Sequence, residues 1–162
     1  MQVAFIGYKV SGSDGHLDNI PFTDDTTKLQ RFVDSQKASG GSAFRKEDKE
    51  DGMIKALSFN WNGSVKFMVL ISDISDRGKL GTINQTIQKI AEKNIYFLHV
   101  TINSSTNKER DGFQAAYKNS TGSKIKDTGF MDIDMKNISN DTNILSEKIV
   151  EKVSTVIVAE FM

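Results

Sequence analysis

The chain has no cysteine in its 162 residues. That excludes a disulfide framework, a cysteine-based zinc knuckle and a thiol nucleophile. It also lacks any segment approaching the roughly 20 apolar residues needed to cross a bilayer. The opening Met1-Gln-Val-Ala-Phe-Ile-Gly7 has neither the basic region nor the long apolar stretch of a signal peptide, so a cytoplasmic location without membrane contact is expected. There is no charge excess of either sign, since 21 basic side chains meet 21 acidic ones. Without a net basic field, nucleic acid is not expected as a partner. Two phosphate-cradling signatures are also missing, the G-x-x-x-x-G-K-[ST] loop and the G-x-G-x-x-G fingerprint. Sequons such as Asn62-Gly-Ser64 and Asn119-Ser-Thr121 follow from a composition rich in Asn, Ser and Thr.

What is present is an alternation of short apolar runs with helical patterns. Val3 to Tyr8, Val65 to Ser72 and Ile95 to Thr101 are nearly continuous apolar runs, as buried parallel strands are. Phe130 to Met135 alternates Asp132 and Asp134 with apolar neighbours and reads as an edge strand. Leu17 to Phe22 follows the turn-like Ser11-Gly-Ser-Asp-Gly15 and is expected to form a hairpin with the first run. Helical periodicity marks Thr26 to Gln36, Asp48 to Phe59, Thr82 to Lys93, Arg110 to Lys118 and Asn143 to Glu160. In the last of these Leu145, Ile149, Val153 and Ile157 share one face. The order predicts a single α/β domain spanning residues 1–162, with a mainly parallel sheet and helices on both faces. Trp61 is expected to plug the core beside Phe59.

In an open parallel sheet, ligands bind outside the carboxyl ends of the strands. Asp73 ends the run Phe67 to Ser72 and belongs on that rim, where a carboxylate ligates a hard cation or caps a turn. The loop Ala38-Ser-Gly-Gly-Ser-Ala43 can bring the Ser42 hydroxyl towards the same edge. His99 within its strand and His16 in its turn have no partner in a recognisable catalytic motif, so both read as structural.

Several strings occur in a familiar order: Val3-Ala-Phe-Ile-Gly-Tyr8, Phe22-Thr-Asp24, Lys37-Ala-Ser-Gly-Gly41, Ala56-Leu-x-x-Asn60-Trp61, and Leu70-Ile-Ser-Asp73 followed by Gly78. Together they resemble a von Willebrand factor type A domain, of the intracellular branch found in proteins of the alpha-kinase type. The resemblance implies a three-layer, doubly wound, mainly parallel, Rossmann-like sheet. In that family a metal-ion-dependent adhesion site crowns the sheet, built from an Asp-x-Ser-x-Ser loop, a Thr or Asp, and a further Asp. Asp73 matches the last of these and Ser42 is the candidate for the second. The first motif is absent, and the chain begins at what resembles the family's second strand. The domain is therefore expected to lack its first strand, and the two residues left hold Mg²⁺ at best weakly, with no tightly bound cofactor.

The resemblance implies a non-catalytic module that recruits a protein partner through a degenerate adhesion site. The alternatives are a regulatory fragment of an alpha-kinase-type protein whose catalytic domain lies elsewhere and a flavodoxin-like enzyme. The last would use Ser11-Gly-Ser13 or Asn103-Ser-Ser-Thr106 as its phosphate loop. If the first strand is missing, Val3 to Tyr8 and Val65 to Ser72 should be parallel neighbours, zipped together or open to a strand donated by another chain or by a missing N-terminal segment.

Overall fold

The computed structural model describes residues 1–8, 17–36, 49–72, 80–101, 115–116, 119–120, 130–132 and 143–161. The chain divides into two compact units, one made of Met1–Asn62 with Asp76–Thr82, the other of Gly63–Ser75 with Ile83–Met162.

The first unit is built on a hairpin. Strand β1 (Val3–Tyr8) pairs antiparallel with β2 (Leu17–Thr23), with Phe5 opposite Ile20 and Tyr8 opposite Leu17. The register slips between Val3 and Phe5, so β2 carries an extra residue between Ile20 and Thr23. Pro21, the single proline of the chain, lies in that slip. A proline has no N–H to give a ladder, so a bulge is where a strand tolerates one. Helix α1 (Thr26–Ser35) starts at Asp25, whose side chain accepts a hydrogen bond from the Lys28 amide at 2.9 Å. Its Leu29 and Phe32 are half-buried, but Val33 is exposed.

Helix α2 (Lys49–Leu57) places Glu50 and Asp51 in its first turn, where the helix dipole favours negative charge. It approaches β1 through Gly52. A Cβ there would stand 3.3 Å from the Cβ and Cδ1 of Tyr8, a contact tight enough that the Tyr8 side chain or the helix would have to yield by a few tenths of an ångström. Ile20 and Met53 are the buried apolar residues of this unit. Trp61, expected to plug the core beside Phe59, is instead half-buried and is linked to Phe59 through Phe22. Its ring meets Phe22 edge-on at 4.9 Å, Phe22 in turn meets Phe59, and the indole N–H donates to the Ala56 carbonyl at 2.8 Å.

The second unit holds a parallel sheet in the order β3 (Phe67–Ser72), β4 (Tyr96–Thr101), β5 (Phe130–Asp132). Helix α3 (Leu80–Glu92) links β3 to β4, as a parallel pair requires. Its Thr86, Ile87, Ile90 and Ala91 are buried. The helix ends in a Schellman motif: Ile95 N–H donates to Ile90 O, Asn94 N–H donates to Ala91 O, and Asn94 adopts φ 52°. The chain then enters β4 directly. Helix α4 (Asn143–Phe161) packs Leu145 and Ile149 against Leu98 and Val100, both wholly buried.

The hairpin, the parallel pairing and the edge position of β5 follow the expectations from sequence, and the structure is a mixed α/β one. Of the strand expected over Phe130 to Met135, Phe130–Asp132 is present and the rest lies outside the described residues, as does most of Arg110 to Lys118. Of the two arrangements expected for Val3 to Tyr8 and Val65 to Ser72, direct pairing is not formed: among the described residues β1 is laddered to β2 and β3 to β4, in separate sheets.

Candidate functional site

The carboxyl ends of β3 and β4 are the place where this sheet would present a ligand site. Side chains alternate along β3, with Met68, Leu70 and Ser72 buried and Val69 and Ile71 exposed. Register then sets the neighbours on β4. Leu70 stands opposite His99, so His99 shares the buried face of Met68, Leu70 and Ser72. Ser72 Oγ lies 2.8 Å from His99 Nε2. The two share one hydrogen bond, and the imidazole tautomer decides which of them donates.

A hydroxyl on an imidazole nitrogen is the first half of a nucleophile–base arrangement. Burial argues against that use here. Ser72 is 4% exposed and His99 is fully buried, with the Phe97 ring tilted beside it at 6.3 Å. Each group satisfies the other where an unmatched one would cost about 1–3 kcal/mol. Sequence reasoning gave His99 a structural role but missed its partner. The usable signal was parity, since two parallel runs in this register put the polar residue ending one beside the polar residue inside the other.

The opposite face of the sheet differs between its strands. Val69 pairs in register with Leu98, and Ile71 with Val100. On β4 these positions lie under α4 and are 0% exposed, whereas Val69 and Ile71 remain 36% and 40% exposed. The helix covers one strand's apolar positions and leaves its neighbour's open to solvent.

Asp73 and Ser42, the candidate metal ligands, lie outside the described residues, as do His16, Ser11 to Ser13 and Asn103 to Thr106. Among the described residues no group of three or more His, Asp or Glu side chains could hold a metal ion. No helix among them is long and apolar enough to cross a membrane. Two shallow clefts are present. One of about 240 Å³ is lined by Asn84, Gln85, Gln88 and Ser120 among others. The other, of about 320 Å³, lies in the first unit between Gln2, Phe22, Phe59 and Asn62.

A scan against models of known protein families finds no match, and a search of curated proteins finds no similar sequence.

Proposed function

We propose that this chain is a non-catalytic protein-interaction module, with a doubly wound α/β sheet of the von Willebrand type A kind, that engages a partner through the open face of β3. The observation that carries this reading is the exposure of Val69 and Ile71 on a face whose β4 half is sealed. Large apolar side chains side by side on a strand gain most when another protein covers them. The sealed Ser72–His99 pair supports the non-catalytic part of the reading, because this hydroxyl and imidazole face no solvent. The partner is a protein that presents apolar side chains to this strip, or an extended segment laid along β3. Any metal at Asp73 and Ser42 is a weakly held accessory in this reading.

The test is a double substitution, Val69→Asp with Ile71→Asp, compared with the unaltered chain by affinity capture from cytosolic extract. Both side chains are already partly exposed, so the substituted chain should melt near the same temperature. The expected result is one or more proteins retained by the unaltered chain and lost from the variant. Identical capture by both, at equal folded content, would remove β3 from the proposal. Substrate turnover abolished by Ser72→Ala in a correctly folded variant would overturn its non-catalytic part.

A further inference from the structure

Asn62-Gly63 is the only Asn-Gly pair in the chain. Asn62, Gly63 and Ser64 are all exposed, and Asn62 and Gly63 belong to neither helix nor strand. The Gly63 amide takes part in no backbone–backbone hydrogen bond. Glycine also leaves that nitrogen without the steric cover of a side chain and keeps the backbone torsions adaptable. These are the conditions under which a backbone nitrogen can reach the side-chain amide before it.

We propose that Asn62 is a site of spontaneous deamidation. The Gly63 nitrogen, losing its proton to base, attacks Cγ of Asn62. A new C–N bond closes a five-membered succinimide, the bond from Cγ to the side-chain nitrogen breaks, and ammonia leaves with a proton from solvent. Water then opens the ring at either carbonyl and yields aspartate or isoaspartate at position 62. No oxidant, metal or enzyme enters the balance.

Two other described asparagines mark the contrast. Asn60 is followed by the bulky Trp61. Asn94 is held in the Schellman turn, and the amide it would need, that of Ile95, is donated to Ile90 O at 3.1 Å. The conversion alters a surface as well as a residue. Asn62 lines the 320 Å³ cleft with Gln2, Pro21, Phe22, Phe59 and Asn60, none of them charged. Deamidation places a carboxylate there and moves the chain from a formal net charge of 0 to an acidic excess of one.

The purified chain is incubated at body temperature in mildly acidic and mildly alkaline buffer, then followed by isoelectric focusing and peptide mapping with isoaspartate detection. The expected result is an acidic species carrying aspartate and isoaspartate at position 62. It should form before conversion at Asn60 or Asn94, and faster in the alkaline buffer. Asn62→Gln, which would have to close a less favourable six-membered ring, should lose that species. Asn62 remaining intact through the incubation, or the same first acidic species in Asn62→Gln, would overturn the proposal.

Discussion

Ser72 and His99 show how one hydrogen bond constrains the chemistry around it. The two groups are 2.8 Å apart and both are buried, so each meets in the other what water would otherwise supply. Removing the hydroxyl takes away the hydrogen bond that the buried imidazole Nε2 makes with it. Ser72→Ala should therefore cost about 1–3 kcal/mol, the penalty for an unmatched buried polar group. Urea denaturation would read this as a lower midpoint at unchanged slope. An unchanged midpoint would mean that water reaches the pair and that the core at the end of β3 is more open than its burial indicates. The partnership itself was not legible in the residues. His99 reads as a polar interruption of an apolar strand until the β3–β4 register is known, and register is a long-range property set by tertiary pairing. Asp73 and Ser42 rest on strand-end position, a Gly/Ser loop and motif resemblance, and a loop takes its geometry from contacts that no local pattern encodes.

At the scale of elements, local signals carried further. The β1–β2 hairpin, the helix of Asn143–Phe161 and the α3–β4 connection all sit where apolar period and turn residues place them. Asn94 shows why such signals work. The end of α3 needs one residue at positive φ, and asparagine is the side-chain-bearing residue that takes this conformation most readily. Asn94→Ala should destabilise the chain by up to about 1–2 kcal/mol, because alanine keeps the Cβ strained in the left-handed region but loses the short polar side chain whose local hydrogen bonding offsets that strain. Asn94→Gly should leave stability near its starting value. Thermal melts of the pair would check this, and equal losses in both would show that the asparagine side chain matters more than the turn it permits. Direct pairing of β1 with β3 came from family order and is not formed, whereas the expected hairpin is: β2 begins nine residues after β1 ends, so closing the hairpin loop costs little entropy.

For the whole molecule, the functional reading turns on an asymmetry within one sheet. Leu98 and Val100 are sealed beneath α4, while Val69 and Ile71, beside them in register, stay open. A strip of this kind should be energetically quiet in the isolated chain and consequential only in a complex. Site-specific photo-cross-linking inside cells tests this most directly. A photoreactive amino acid is placed at position 69, and a control is placed at Gln30, an exposed polar position on α1. The expected result is a discrete cross-linked adduct from position 69 that is missing from position 30 and suppressed when Ile71→Asp is added. No adduct from position 69, or the same adducts from both positions, would contradict the proposal that β3 presents this protein's binding face.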